Sequence, residues 1–206
     1  WLPKTARTGV ARIARNLDQR NTYGRRLSKL FSGAAMDGDQ RLVNYFFWAG
    51  REDLQKLYSV DFREAINDSI TEQPLLSFLD DLPGNTSRLE RMLALEQRFF
   101  LTDHNLTYTD KMSMAASVEV RVPFLDVDLV DFSSRIPNKY KQHGREGKWV
   151  LKRAMEPYLP KNVIYRPKSG FGVPLRRWMK DDLRELLGDL LSVDSLNKRG
   201  LFSPKA

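Results

Sequence analysis

The stretch LTDHNLTYTDKMSMAASVEVRVPFLD, residues 101–126, sets charged side chains at intervals among small and apolar ones. From residue 110 onward its charged residues are Asp110, Lys111, Glu119, Arg121 and Asp126. A charge in apolar surroundings persists only when it is paired, so the pattern predicts buried or half-buried ion pairs. Two interpretations follow. The charges either form a salt-bridge cluster that fixes two helices, or they line the wall of a binding site.

Around this stretch the sequence predicts helices far more often than strands. The segment VEVRVPF (118–124) alternates briefly, as a strand does, but Pro123 limits it to a sheet edge or an extended segment. Apolar residues recur with helical spacing at Val10, Ile13, Ala14 and Leu17. By its residues alone the chain is therefore mainly α-helical.

Capping residues mark where several helices begin. Ser87 and Glu90 form the S-x-x-E pattern of a capping box. Asp126 is suited to cap a helix through 127–135. Pro174 is suited to the first position of another helix. The predicted buried face of that helix consists of Leu175, Trp178 and Met179.

Three further segments are interpreted from their composition. Residues 40–49 are apolar on most sides and predict a buried helix that ends at Gly50. QPLLSFLDDLPGNTS (73–87) predicts a connector with a short apolar anchor. FSGAAMDGD (31–39) is similar to a phosphate loop, but its spacing differs and no buried strand precedes it. It predicts an ordinary loop between helices.

Composition restricts the classes of protein. With 206 residues, 41% of them hydrophobic, the chain is long enough to bury a core. It has no cysteine, which excludes disulfides and thiolate metal sites and is consistent with a reducing cytoplasm. Its two histidines do not suit a histidine-rich metal site. No apolar run approaches the ~20 residues of a membrane span, and no signal peptide opens the chain.

The net charge of +8 is concentrated in two segments. Residues 1–30 contain eight basic residues and one acid, and residues 136–180 contain twelve and two. Residues 31–135 contain ten basic and eighteen acidic residues. A focused positive region suits nucleic acid, nucleotide phosphates or an acidic partner surface, and composition leaves all three open.

The sequence YRPKSGFGVP (165–174) lies in the second basic segment. Arg166 and Lys168 flank Pro167, and two glycines, Gly170 and Gly172, follow. Two cations beside a flexible backbone suit an anion site. They equally suit a basic loop that binds nothing, with Arg166 paired to a core carboxylate.

Three blocks, in their order and spacing, resemble the C-terminal synthetase region of glutamine-hydrolysing asparagine synthetases. They are DKMSMAASVEVRVPFLD (110–126), IPNKYK (136–141) and GKWVLKRAMEPYLPKNVIYRPKSGFGVP (147–174). Residues 1–100 resemble only the variable helical stretch of that family. The resemblance implies a single helical region over 1–206, with the family-specific blocks in 101–206. The resemblance also implies that this region is the helical C-terminal half of a larger α/β ATP-pyrophosphatase domain, similar to adenine nucleotide alpha-hydrolases.

Upstream motifs of that family do not occur in this sequence. They are the S-G-G-x-D-S nucleotide loop, the G-G-D-E acidic loop and the glutaminase domain with its nucleophilic cysteine. The chain is therefore expected to be an excised piece of a larger synthetase that starts just after the acidic loop. Alone, such a piece is expected to be inactive.

The resemblance also implies the chemistry and the site. Such a ligase uses MgATP to adenylate the side-chain carboxylate of aspartate, and glutamine-derived ammonia then forms asparagine. Lys168 is the implied catalytic residue, because it offers a point charge to phosphate oxygens. The implied substrate- or phosphate-binding residues, each with a structural role as the alternative, are Arg166, Gly170, Asp110, Arg121 and Glu119. No residue is assigned to a metal.

The expected partners are aspartate, ATP, ammonia, and the glutaminase domain and upstream α/β sheet of the same parent chain. A homodimer is left open, the expected location is the cytoplasm, and no membrane or nucleic acid is expected. Tyr108 departs from the family pattern, which often has a basic residue there. Either the acceptor is another carboxylate or Tyr108 simply packs. The alternative function is a basic helical module that binds nucleic acid or a partner, although no nucleic-acid-reading motif is present.

Overall fold

A computed structural model of the chain describes residues 3–17, 21–36, 38–47, 49–66, 71–168 and 174–205. Its first helices are α1 (Lys4–Arg15), α2 (Thr22–Ser32), α3 (Gly38–Val43), α4 (Arg51–Leu57), α5 (Val60–Ala65), α6 (Gln73–Asp80), α7 (Arg88–Leu95) and α8 (Thr107–Ala115). The later ones are α9 (Val127–Arg135), α10 (Asn138–Lys141), α11 (Trp149–Met155), α12 (Lys161–Ile164), α13 (Leu175–Lys180), α14 (Arg184–Leu190) and α15 (Val193–Arg199). A short antiparallel hairpin pairs β1 (Gln142–His143) with β2 (Glu146–Gly147). The mainly helical prediction is confirmed for the described residues.

The chain divides into two compact units, Trp1–Leu82 with Pro174–Ala206, and Pro83–Val173. In the first unit α1 packs against α2 and against a 3-10 turn, Gly33–Ala35. Ala11 and Ala14 of α1 and Ala34 of the turn are buried there, because small side chains let the backbones approach. The turn lies between α2 and α3, as the predicted inter-helix loop requires.

Two predictions for the middle of this unit are wrong. Residues 40–49 do not form one helix, because α3 ends at Val43 and a 3-10 turn, Asn44–Phe46, follows. Gly50 stands at the start of α4 rather than at the end of a helix. Residues 73–80 are not a connector but α6, whose Leu79 is fully buried, and α6 contacts α3. The apolar residues that were predicted to anchor a connector thus form the packed side of a helix.

The end of the chain pairs with the connection between α4 and α5. The Ser59 hydroxyl donates to the Gly200 carbonyl at 2.6 Å, and the backbone N–H of Ser203 donates to the Leu57 carbonyl at 2.8 Å. The rings of Tyr58 and Phe202 lie 5.9 Å apart. Residues that lie 141 positions apart in the sequence, Ser59 and Gly200, therefore help to stabilise one unit.

A further prediction for this unit, the buried face of α13, is wrong. Leu175, Trp178 and Met179 are 50%, 38% and 44% exposed. Their helical spacing does place them on one side of α13. This helix begins at Leu175, so Pro174 is its N-cap residue and not its first helical residue as predicted. The spacing identified an apolar face, but no element covers that face in the described structure.

The second unit begins with one long helix. Ser87 accepts a hydrogen bond from the Glu90 N–H at 3.3 Å, and Glu90 accepts one from the Ser87 N–H at 2.8 Å. This reciprocal pair confirms the capping box. The helix runs through α7, a π-helical stretch (Glu96–Leu106) and α8 without leaving right-handed helical dihedral angles at either junction.

Downstream of α8 the backbone turns at Ser117, whose φ is 54°, and continues without strand pairing. Pro123 then starts a 3-10 turn (Pro123–Leu125), so the extended alternative for this segment is the correct one. Asp126 accepts a hydrogen bond from the Leu129 N–H at 3.0 Å, which confirms the predicted cap of α9. The β1–β2 hairpin turns at Gly144, whose φ of 58° suits glycine.

The second unit has a thin core. Among its described apolar side chains only Leu95 is buried. Large apolar side chains of the 3-10 turn and α9 stand in solvent, where Phe124 is 68%, Val127 80% and Phe132 61% exposed. Further exposed apolar residues are Met112, Met114, Val118, Val120 and Val122. Many more of the described apolar side chains of this unit are therefore exposed than buried.

Candidate functional site

The cations Arg166 and Lys168 follow the short helix α12 directly. Pro160 precedes α12, and the Tyr165 N–H donates to the Lys161 carbonyl at 2.9 Å to close its last turn. Pro167 has no N–H and cannot continue a helix, so the chain leaves α12 as an extended segment. Arg166 and Lys168 are both exposed, and within the described residues neither side chain has an ion-pair partner. Both cations are thus free to meet an anion.

Tyr165, the residue before these cations, is tied to α11. Its hydroxyl donates to Glu156 Oε1 at 2.5 Å, and Arg153 donates to the same oxygen at 2.9 Å. The hydrogen bond from Tyr165 lowers the pKa of Glu156 below its ordinary value, and Glu156 in turn raises the pKa of Tyr165. Both shifts favour the carboxylate with a neutral phenol, which is the state that makes this hydrogen bond.

A second contact holds the ring of Tyr165. Lys152 Nζ lies 5.3 Å from the ring centroid, and it also donates to Glu146 Oε1 at 2.9 Å. The Lys152 and Glu146 side chains are half-buried, so this pair is partly shielded from solvent. The Arg153 guanidinium lies 5.7 Å from the Trp149 ring. We call the set Glu146, Lys152, Arg153, Glu156 and Tyr165 the Tyr165 network.

In the described structure, one ion pair forms among the five predicted charges, between Glu119 and Arg121, but its predicted burial is wrong. Arg121 Nη2 lies 2.8 Å from Glu119 Oε1, with the two side chains 69% (Glu119) and 82% (Arg121) exposed. The residues lie in the unpaired segment after α8, where side chains at i and i+2 point to the same face. The pair therefore does not lock two helices together. It is a solvated charge pair on an open surface.

The other charges of the opening stretch have separate environments. Asp110 and Lys111 are exposed on α8, and the described structure gives neither an ion-pair partner. Asp126 caps α9. The prediction of burial is therefore wrong for Asp110, Lys111 and Asp126 as well. The apolar residues between them do not cover the charges, because those residues are themselves exposed.

Tyr108 packs beside a histidine on the long helix. Its ring meets that of His104 edge-on at 5.3 Å, and His104 stacks on Phe100 at 4.9 Å. These are contacts between successive turns of one helix. Tyr108 is still about half exposed, so it packs on one side and presents the other to solvent.

The predicted site residues are therefore only partly brought together. Glu119 contacts Arg121, but the described structure records no hydrogen bond or ion pair from Arg166 or Lys168 to Asp110, Glu119 or Arg121. Gly170 lies outside the described residues, as does Gly172. Sequence reasoning missed the Tyr165 network. Its one sequence signal is that both acids of the basic segment 136–180, Glu146 and Glu156, belong to it.

In the part of the chain that the structure describes, no metal-ligand set accompanies these residues. Within the described ranges, no three His, Asp or Glu side chains come close enough together to hold a metal ion. The same ranges contain no helix that combines the length and apolar character needed to cross a bilayer. What the geometry offers is exposed positive charge on a short segment that is anchored at Tyr165.

Comparison with known proteins gives one consistent family. The family model described as asparagine synthase matches residues 5–206. Asparagine synthetase [glutamine-hydrolyzing] 1 of Bacillus subtilis is 35% identical over 105 residues, which are 51% of this chain and 17% of that protein. Asparagine synthetase [glutamine-hydrolyzing] 3 of the same organism is 34% identical over 124 residues, 60% of this chain and 19% of the relative.

A plant relative gives the same result. Asparagine synthetase [glutamine-hydrolyzing] 1 of Arabidopsis thaliana is 40% identical over 70 residues, which are 30% of this chain and 12% of that protein. No solved structure matches the chain significantly. The matched regions thus span less than a fifth of each of these relatives.

Proposed function

The chain belongs to the asparagine synthase family, and from that premise we propose that it forms part of an ATP-dependent, glutamine-hydrolysing asparagine synthetase. Such a ligase joins the side-chain carboxylate of aspartate to AMP and releases pyrophosphate. Ammonia from glutamine then attacks the β-aspartyl adenylate, which forms asparagine and releases AMP. The observation that carries the proposal is the family match over 5–206, which includes the exposed cation Lys168.

Lys168 is the proposed catalytic residue. An ammonium on a flexible stem places a positive charge beside the phosphate oxygens, where negative charge develops as pyrophosphate leaves. Two structural features support the assignment: Lys168 is exposed, and the described structure gives it no acidic partner. A lysine already paired to a carboxylate would have to break that pair before it met phosphate.

The remaining site residues extend this proposal. Arg166 stands two positions before Lys168 and is exposed as well, so it suits a second contact to the phosphates. The proposed substrate-binding residues are Gly170, Asp110, Arg121 and Glu119. The exposed Glu119–Arg121 pair supports this, because a solvated pair can exchange one partner for a charged substrate at little cost.

The proposed parent protein also supplies partners and cofactors. ATP is the proposed nucleotide, with Mg²⁺ as its counterion. The family's α/β ATP-pyrophosphatase sheet and glutaminase domain are the proposed neighbours in the same chain, in the cytoplasm. The exposed apolar side chains of the second unit support such a sheet, because large unburied apolar areas ordinarily mark a contact surface.

The test is ATP–pyrophosphate exchange with aspartate by the full-length protein that carries this chain. We expect aspartate-dependent exchange in the wild type and a loss of about 100- to 1,000-fold in Lys168→Ala, the range for removing a donor to developing negative charge. Lys198→Ala is the matched control, because Lys198 is an exposed lysine on α15 with no assigned role. Unchanged exchange in Lys168→Ala would overturn its assigned role.

Measurements on the same full-length protein also test the alternative function. Absence of aspartate-dependent exchange in the wild type, together with sequence-specific nucleic-acid binding at physiological salt, would replace the synthetase proposal with the basic binding module. Salt-sensitive binding to random duplex does not discriminate, because a protein of net charge +8 attracts polyanions without a reading motif.

A further inference from the structure

We propose that Glu156 and Tyr165 are positioning residues, which anchor the segment Arg166–Lys168 to α11 and so present Lys168 in a fixed direction. This inference rests on the proposed function, because it assigns the two residues a role through Lys168. Neither residue touches substrate in the proposal. They act on the geometry of the residue that does.

The first step is that Tyr165 is held at two points. Its backbone N–H closes α12 on the Lys161 carbonyl at 2.9 Å, and its hydroxyl reaches Glu156 Oε1 on the far side of the connector at 2.5 Å. One bond fixes where the backbone of Tyr165 lies. The other fixes the direction of its side chain, so rotation of the end of α12 costs at least one of them.

The second step is that the side chains that contact Tyr165 are themselves held by other residues. Glu156 also accepts from Arg153 at 2.9 Å, and Arg153 lies over the Trp149 ring. Lys152 Nζ lies 5.3 Å from the centroid of the Tyr165 ring and donates a hydrogen bond to Glu146. A long charged side chain loses rotamer entropy when it is fixed, and shared partners spread that cost over several contacts.

The third step carries this order from Tyr165 to Lys168. Three residues of fully extended chain span about 10 Å, so an anchored Tyr165 confines the Lys168 backbone to a small volume. Pro167 narrows it further, because its ring fixes its own φ and restricts Arg166 to extended conformations. Because Pro167 is rigid, fixing the position of Tyr165 also limits the directions in which the Lys168 side chain can point.

The fourth step concerns charge. The basic segment 136–180 contains two acids, Glu146 and Glu156, and both are engaged inside the Tyr165 network. A loose Glu156 carboxylate would be a nearby competitor for Arg166 or Lys168. By binding Tyr165 and Arg153 instead, it leaves the two cations without an acidic partner among the described residues.

A double-mutant cycle in the full-length protein tests the proposal. We expect Tyr165→Phe, which keeps the ring and removes the hydroxyl, to lower the kcat of ATP–pyrophosphate exchange by about 10- to 100-fold, the scale of a small misplacement. In a Lys168→Ala background the same change is expected to have almost no further effect, because it acts through Lys168. An equal further loss in that background would overturn the proposal, since it would indicate general destabilisation.

Two more variants separate positioning from structure. Glu156→Gln retains an oxygen that accepts from Tyr165, so we expect it to keep most of the activity that Glu156→Ala loses. Tyr158→Phe is the matched control, because Tyr158 is strongly exposed and its hydroxyl has no partner in the described structure. Equal losses in Glu156→Gln and Glu156→Ala, or a loss in Tyr158→Phe as large as that in Tyr165→Phe, would contradict the role.

A readout without catalysis keeps this inference distinct from the proposed function. In the 206-residue chain we expect the ¹⁵N order parameter of Lys168 to be near that of ordered backbone, about 0.85, and to fall toward 0.6 in Tyr165→Phe. A low value already in the wild type would overturn the anchor. If the full-length wild type lacks exchange with aspartate, the synthetase proposal fails, and the order parameters still decide whether Tyr165 orders Lys168.

Discussion

Asn138 donates a hydrogen bond from Nδ2 to Ser87 Oγ at 2.7 Å, across 51 positions of sequence. The same oxygen accepts from the Glu90 N–H at 3.3 Å, so one hydroxyl serves the capping box of α7 and the start of α10. Within the second unit, whose core is thin, this polar contact joins two segments that are distant in the chain. Loss of this contact is therefore expected to lower the free energy of unfolding.

Ser87→Ala is expected to lower the free energy of unfolding by about 1 kcal/mol through the lost cap. A further cost of about 1 kcal/mol is expected because the Asn138 amide loses its partner. Urea denaturation measures the change. Ser77→Ala is the control, since among the described residues the Ser77 hydroxyl accepts a hydrogen bond from Gln73 alone, on an exposed part of α6. Its effect is expected within about 0.5 kcal/mol. Equal effects of the two substitutions would contradict the dual role of Ser87.

Glu90 is expected to make stability depend on acid pH. Hydrogen bonds from Ser87 hold the pKa of Glu90 below its ordinary value, and Lys141 and Asn138 act in the same direction. A carboxyl group with a lowered pKa in the folded state contributes stability above its ordinary pKa, and that contribution is lost as the pH falls through the folded-state pKa. The midpoint of thermal unfolding is therefore expected to fall more between pH 7 and pH 3 in the wild type than in Glu90→Gln. Parallel profiles would contradict this.

The apolar surface of the second unit is expected to bind a hydrophobic dye and to promote self-association of the 206-residue chain. Phe124, Val127 and Phe132 are the most prominent side chains of the 3-10 turn and α9, two elements that contact each other. Replacing all three by serine is expected to reduce dye fluorescence and the sedimentation-derived mass at high concentration. Leu191→Ser, at an exposed apolar residue of the first unit, is the control. A monomer that binds no dye would show that this surface is not a contact surface.

Local signals in the sequence correctly predicted two helix starts. The capping box of Ser87 with Glu90 and the cap at Asp126 each depend on residues three positions apart, so the backbone near them decides the outcome. The pairing of Glu119 with Arg121 was predictable for a similar reason. In an extended segment these neighbours share a face whatever the rest of the fold does.

Which apolar side chains become buried was not predictable in the same way. Helical spacing identified Leu175, Trp178 and Met179 as one face, but burial depends on an element that packs there. The burial of Leu79 had the opposite outcome, because α3 happens to cover α6. The bond from Tyr165 to Glu156 joins side chains nine positions apart on either side of a helix break, and no periodic pattern describes such a contact.

The Glu119–Arg121 pair allows its two interpretations to be separated by experiment. A pair that is 69% and 82% exposed is worth at most about 1 kcal/mol of stability, because water screens it. Glu119→Gln and Arg121→Gln are therefore each expected to change the free energy of unfolding by less than that amount. If the pair lines the proposed site, the same variants of the full-length protein are expected to lose aspartate-dependent exchange by 10-fold or more, about 1.4 kcal/mol of transition-state stabilisation.

The control for this comparison is the ion pair of Asp131 with Arg135 on α9, whose side chains are likewise exposed. Asp131→Asn is expected to leave both stability and exchange nearly unchanged, because neither residue is assigned to the site. A loss of exchange that simply follows the loss of stability in Glu119→Gln would favour the structural interpretation. Loss of exchange at nearly wild-type stability would favour the site wall, since an exposed ion pair has too little structural energy to account for it.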